Sequence, residues 1–281
     1  MNKIVFENDL IKDLNINENY IELVTEPKNE FFIVNSFKFY IHHNCDLEIN
    51  YNVLEECKLN IFFYLDKNIK FNLYEKRKGV KTKVQYKYCL NDKSIINVYK
   101  FNDTYSHREL DIINLDGDNS CFNSYLKSIS KDKEKYDMMI YHNAGNTNSN
   151  VVNNGVTIMN GNITFNVTSV VPNDIKGCNV NQSNHIINFN NKKSQINPNL
   201  LIDENDVVAN HSAYIGKFNK QTLLYLQRLG INMNEAIKLL IKGFLIKDLN
   251  INEKNKKEIY ASIEQYWGWN YAPWRFSYVR E

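Results

Sequence analysis

The stretch Leu201-Ile202-Asp203-Glu204-Asn205-Asp206-Val207-Val208-Ala209-Asn210-His211-Ser212-Ala213-Tyr214-Ile215-Gly216, a polar turn leading to a single histidine, divides the chain into two parts of different periodicity. Before it, from Phe31 to Phe189, apolar and polar residues alternate, as in Phe37-Lys38-Phe39-Tyr40-Ile41, Ile69-Lys70-Phe71-Asn72-Leu73, Val84-Gln85-Tyr86-Lys87-Tyr88 and Ile163-Thr164-Phe165-Asn166-Val167. A period of two belongs to strands with one buried face. Asp66-Lys67-Asn68, Asn91-Asp92-Lys93, Asp116-Gly117-Asp118-Asn119 and Asn160-Gly161-Asn162 separate these runs as turns. The fold class is therefore mainly β, and alternation alone leaves a sandwich, a barrel and a β-helix open.

After Gly216 the period lengthens to that of a helix. Asn219 is placed to cap a helix from Lys220 to Leu229 that Gly230 stops, and Asn232 with Glu235 three residues on forms a capping-box-like start for a second. Ile237, Leu240, Ile241 and Phe244 then fall at i, i+3, i+4 and i+7, one continuous apolar stripe. A third helix fits Lys254 to Tyr266, with Ile259, Ile263 and Tyr266 on one face.

Composition narrows the function classes. The 281 residues are 43% hydrophobic, enough for one large core. A net charge of +2, from 34 basic and 32 acidic residues mixed along the chain, predicts neither nucleic acid nor an anionic membrane as partner. Glu7, Asp9, Lys12 and Asp13 interrupt the first 22 residues, so no signal peptide is expected there, and a cytoplasmic protein is the expectation. Cys45, Cys57, Cys89, Cys121 and Cys178 are odd in number and widely spaced, which predicts reduced thiols, not a disulfide framework or a zinc site. Asparagine makes up roughly one residue in six. Its tolerance of left-handed backbone suits a fold with many tight corners.

Pro198, Leu200, Ile202, Asp206, Val207, His211, Ala213 and Gly216 lie in register with a "P-x-L-x-I…D-V…H-x-A-x-x-G" segment, and Leu224-Tyr225-Leu226-Gln227-Arg228-Leu229-Gly230-Ile231, Ala236 and Gly243-Phe244 follow in the same order. With Asn148-Ser149-Asn150-Val151-Val152-Asn153-Asn154-Gly155-Val156 and Gln182 upstream, the region from about Tyr141 to Phe244 resembles the SufB/SufD family of iron–sulfur cluster assembly scaffolds. The resemblance implies a right-handed parallel β-helix core with a C-terminal α-helical subdomain. The expected division is an N-terminal segment of residues 1–30, a β-helix core of residues 31–216 and a helical subdomain with an aromatic tail, residues 217–281.

By the same resemblance the chain is a non-catalytic, SufD-like scaffold subunit. It would pair with a SufB-like subunit and dock a SufC-like ABC-type ATPase on its C-terminal helices, for which Leu223, Leu226, Ile237, Leu240, Ile241 and Phe244 are the candidate contacts. Those helices packing on the end of the β-helix is a reading compatible with the same stripe. The chain lacks G-x-x-x-x-G-K-[ST], so ATP hydrolysis is expected from the partner.

His211 corresponds to the histidine that the family places near the interface of its two β-helical subunits, where a nascent iron–sulfur cluster forms. A neutral imidazole is a competent iron ligand. Taken by itself the residue also fits a turn histidine held by hydrogen bonds. Three departures bear on this site. Ala209 stands where SufD-like members carry a cysteine, and Ser183 and Ser212 stand where SufB-like members carry a cysteine and an acidic residue. Cys178 is the nearest remaining thiol and the weaker ligand candidate. The expectation is a transient cluster shared with the partner, none being tightly bound by the isolated chain. The alternatives are a SufB-like scaffold that self-pairs as a homodimer, a β-solenoid structural or carbohydrate-binding protein, and a β-helical polysaccharide lyase, which would need clustered carboxylates.

Two features lie outside the resemblance. Leu10 to Glu18 and Leu245 to Glu253 are the same nine residues, Leu-Ile-Lys-Asp-Leu-Asn-Ile-Asn-Glu, with Asn252 of the second copy able to cap the third helix. The tail from Trp267 to Tyr278 holds all three tryptophans, an aromatic density typical of binding interfaces, or of a segment folded back on the chain's own apolar surface.

Overall fold

A computed structural model describes residues 2–26 and 34–267. The first coil contains β1 (Asn2–Glu7), β2 (Leu10–Asn15), β3 (Ile21–Glu26) and β4 (Asn35–Ile41). The next contains β5 (Cys45–Val53) and β6 (Cys57–Leu65); β7 (Lys70–Leu90) and β8 (Ile95–Leu115) make a coil each. β9 (Cys121–Ser130) with β10 (Lys133–His142), β11 (Asn148–Thr157) with β12 (Asn162–Val171), and β13 (Cys178–Asn188) with β14 (Gln195–Ile202) make three more, and β15 (Val207–Gly216) starts a last one. Three helices follow, α1 (Lys220–Arg228), α2 (Met233–Ile246) and α3 (Glu253–Trp267).

The strands form two facing parallel ladders. One runs β5, β7, β8, β9, β11, β13, β15, and the other β4, β6, β7, β8, β10, β12, β14. The long strands β7 and β8 pass through a corner and belong to both. This is the parallel β-helix that the family resemblance implies, a stack in which each coil is closed only by its neighbours. Residues 2–26, set apart in the sequence reading as an N-terminal segment, are part of the same sheet: β1 pairs in parallel with β5, while β2 and β3 lie antiparallel at the edges of the two ladders. Strands of six residues with Lys12, Asp13 and Glu22 in them carry too little alternation to be read in advance.

Register explains much of the composition. Inward residues stack as rings, Phe39 on Phe63 at 4.9 Å and Phe63 on Tyr88 at 5.4 Å. Outward asparagines stack as amides: Asn72 donates to Asp46 at 2.7 Å, Asn97 to Asn72 at 2.8 Å and Asn123 to Asn97 at 2.9 Å, each bond joining successive coils. Such ladders satisfy polar side chains that share one register position in parallel strands. Asparagine also holds corners, with positive φ at Asn8, Asn68, Asn119 and Asn146.

The lumen is not apolar throughout. Between the two ladders, β7 and β8 bury Glu75, Arg77, Lys100, His107, Glu109 and Asp111. Arg77 lies 3.2 Å from Glu109 Oε2 and 4.5 Å above the Tyr51 ring, and donates to the Tyr86 hydroxyl at 2.5 Å. Lys100 Nζ donates to Glu109 at 2.8 Å and Asp111 at 2.9 Å. Three carboxylates face two permanent cations, so one carboxyl keeps its proton. Burial and the neighbouring Glu109 charge push Asp111 up to about 8, whereas Glu109, despite its burial, is held low by Lys100, His107 and Arg77. Glu134, whose carboxylate accepts from Ser128 and Tyr136, is pushed up to about 7 by burial.

These groups set the pH dependence of stability. Asp111 and Glu134 stay protonated in the fold at pH values where the unfolded chain has released those protons, so their stabilising contribution disappears as pH rises through about 7 and then 8. Burial lowers His107 and His142 to about 4, so their contribution is present above 6.5 and lost as pH falls toward 4. The melting temperature should therefore plateau in mildly acidic buffer and drop between pH 6.5 and 8. Glu134→Gln should flatten that drop in a thermal scan series, and an unchanged slope would exclude Glu134 as its source.

Candidate site at the open end of the solenoid

The chain's second half puts β15 at one end of the stack and lays its helices along the side of the ladder, α2 against β9 and β11 and α3 beside β7, where Lys76 pairs with Glu258. Asn219, Asn232 and Asn252 cap the three helices by accepting from Gln221, Glu235 and Asn255 backbone N–H groups at 2.7, 3.0 and 2.8 Å. α1 ends before Gly230, whose φ is 85°. The apolar stripe packs inward: Leu223, Ile237 and Ile241 are buried with Ile259 and Ile263 against Phe101, Ile129, Val156 and Ile187 of the sheet. This corrects the assignment of Leu223, Ile237 and Ile241 as partner contacts, since periodicity identifies an apolar face without saying what covers it. Leu226, Leu240 and Phe244 are half-buried on the same cluster. The apolar residues that do face outward are Leu224, Tyr225, Leu229 and Leu239, each at least half exposed.

Lys127 lies under this helical platform. Its side chain is fully buried, its ammonium has no hydrogen-bond partner among the described residues, and burial lowers its pKa to about 8. Asn154, in register beside it, donates to the Phe244 carbonyl at 2.9 Å. Neither contact could be seen in the sequence, because the partners are brought together only by coil register.

β15 pairs with β13 on one side and with no strand on the other among the described residues. His211 is exposed in the middle of this edge, directly beyond Gln182. Gln182 points into the lumen, donating to Ser169 Oγ at 2.9 Å, and its Oε1 has no partner among the described residues. Register thus carries His211 onto the lumen side of the final coil, where no further coil closes over it. Ser212 and Ser183 pair on the outer side, hydroxyl to hydroxyl at 3.2 Å. Ala209 stands opposite Val180 and packs with Cys178 and Val171.

Cys178 is buried, with its sulfur 3.2 Å from Thr147 Oγ1, and its strand position opposite Val207 is four residues from the Gln182–His211 pair. At about 3.3 Å per residue that is more than 10 Å along the strand. Burial raises the Cys45 thiol to about 11 and also raises Cys89 and Cys121, so none is primed as a thiolate. Among the described residues no group of three or more His, Cys, Asp or Glu side chains is arranged to hold a metal ion. No helix among them is long and apolar enough to cross a membrane. The tail beyond Trp267 lies outside the described residues.

A family model described as the SUF system FeS cluster assembly SufBD core domain matches residues 72–244. Over 136 residues, 47% of this chain, the sequence is 31% identical to the iron-sulfur cluster assembly protein SufD of Bacillus subtilis (strain 168), and the match spans 31% of that protein's length. The matched region runs from within β7 to near the end of α2, and so contains the open edge and the first two helices but not α3.

Proposed function

The chain belongs to the SufB/SufD family of iron–sulfur cluster assembly proteins, and on that premise we propose that it works as a SufD-like scaffold subunit without catalysis of its own. The observation that carries the reading is the unpaired β15 edge: ten residues with no lysine, arginine, aspartate or glutamate, and His211 at their centre. An edge strand with free N–H and C=O groups accepts another chain's strand. A SufB-like subunit pairing there would bring its own ligands to His211. That is required chemically, because one imidazole flanked by Ala209, Ser183 and Ser212 cannot hold a cluster alone.

The outer face of α1 and α2, with Leu224, Tyr225, Leu229 and Leu239, is the docking surface for a SufC-like ATPase. The platform rests partly on a buried ammonium, that of Lys127, with no partner among the described residues, which weakens its seat and suits an element that shifts as the ATPases close. An uncharged edge strand is also self-complementary, so pairing of two copies of this chain is the second reading.

Co-purification tests both contacts. Tagged chain mixed with a SufB-like scaffold and a SufC-like ATPase should retain both, and Leu224→Glu with Tyr225→Glu should release the ATPase while keeping the scaffold. His211→Ala should lower cluster yield in the reconstituted complex and leave the melting temperature nearly unchanged, since an exposed side chain contributes within about 0.5 kcal/mol. Failure of the unaltered chain to retain the ATPase would end the docking assignment. A large melting-temperature loss with undiminished cluster yield per folded complex would remove His211 from the site.

A further inference from the structure

Lys58, Lys83, Arg108 and Lys135 occupy one register position on four neighbouring strands, β6, β7, β8 and β10. They stand on the outer face of the ladder opposite the one that carries β15 and the helices. Lys58, Lys83 and Arg108 are exposed and Lys135 half-exposed. Like charges directly opposed across strands repel. The Asp46 to Asn123 column shows how the same geometry is neutralised when side chains bond to one another; here an ion pair relieves only Lys135, and Lys58, Lys83 and Arg108 are left facing one another. Asp137 is engaged by Lys135 at 2.8 Å and by Asn166 at 2.6 Å, and Glu56 by Lys81 at 3.0 Å. Among the described residues no carboxylate pairs with Lys58, Lys83 or Arg108. A hollow of about 290 Å³ lies directly over these three, walled also by Val34, Asn60, Gln85 and Leu110 and, on its β10 side, by Asp137, whose carboxylate is taken up by Lys135 and Asn166.

We propose that this cationic column is a docking strip for an acidic α-helix of a protein partner, lying along the solenoid axis. Spacing selects the occupant. Successive cations are one interstrand distance apart, about 4.8 Å. Carboxylates three or four residues apart on a helix recur every 5–6 Å or so, whereas same-face side chains of an extended peptide recur at about 6.6 Å. A helix can therefore offer one carboxylate per coil, with the planar Arg108 fork accepting one of them in bidentate fashion. Single-stranded nucleic acid favours exposed aromatic platforms beside its cations, and the residues lining the hollow with this column, Val34, Asn60, Gln85, Leu110 and Asp137 among them, include no aromatic ring. The surface is separate from β15 and from the helical platform, so it adds a partner to those already proposed.

The probe is a fluorescein-labelled helical peptide with Glu at i, i+4, i+7 and i+11, compared by anisotropy in low salt with a peptide of the same composition whose glutamates are spread round the helix. The full chain should bind the one-faced peptide at least about tenfold more tightly, and Lys83→Glu with Arg108→Glu should remove that binding by a similar factor. Lys83→Glu alone should raise the melting temperature by about 1–4 °C, because it turns two repulsions into attractions. The double variant's own melting temperature, expected near that of the unaltered chain because its two new carboxylates face each other as the cations did, shows that lost binding is not lost folding. Equal affinity for the two peptides, or binding unchanged by the double reversal, overturns the proposal. Tighter binding of an oligothymidylate than of the one-faced peptide overturns it in favour of a nucleic-acid strip.

Discussion

Arg77→Leu is expected to destabilise the chain by about 3–5 kcal/mol, because it removes one partner from a buried ion network and leaves carboxylates behind. Arg77 and Glu109 are both buried, and the guanidinium is at once the partner of Glu109, the donor to Tyr86 and the cap on the Tyr51 ring. Without it Lys100 alone opposes Glu75, Glu109 and Asp111. The urea midpoint measures the loss. Adding Glu109→Gln to Arg77→Leu should recover part of it, since residues in one network are not additive. A single-variant loss below about 1 kcal/mol would mean that the network is hydrated and contributes little.

Gly79→Ala is expected to cost about 3 kcal/mol or more. Gly79 sits where β7 turns through its corner from one ladder into the other, at φ 131°, and a Cβ there would lie 1.8 Å from the Val53 carbonyl oxygen. The nearest atoms met, the Val53 carbonyl oxygen and carbon, are backbone, so no side-chain rotation can relieve the clash. Gly230 supplies the control: its φ is 85°, yet a Cβ would meet nothing within 4 Å, so Gly230→Ala should cost only the left-handed strain of about 1 kcal/mol. Equal losses at the two positions would show that conformation, and not the close approach of coils, governs the corner.

How much of this was legible in the sequence depended on how far apart the interacting residues lie. Strand alternation could be read wherever lumen positions are apolar, as in Phe71 and Leu73. It failed a few residues later, where Glu75 and Arg77 take the same inward places, because the partners of Arg77 stand 9 and 32 residues away and that of Glu75 stands 11 away, and no local window contains them all. The duplicated nonapeptide makes the same point. Its first copy is the strand β2, and its second is the end of α2 and the turn to α3, so neighbouring chain and not local propensity decided between them. His211 was found by its motif, but its position beyond Gln182 at an unclosed coil followed only from register. The asparagines, legible as corner residues, were also ladder residues, which composition alone could not say.

The two ends of the stack differ in a way that limits assembly size. At the first end β2 and β3 are short and antiparallel, carry charges along their length, and β1 is bulged against β2 between Val5 and Phe6. Each of these discourages strand addition. At the other end β14 has Pro198 as a partial guard, and β15 has none among the described residues. A solenoid open at both ends could join head to tail without limit and grow into a fibre. One open at a single end can join only end to end, and the first such junction consumes the open edges of both participants. Among the described residues, then, two copies joined through β15 would use up both open edges and present only the charged, antiparallel strands β2 and β3 outward.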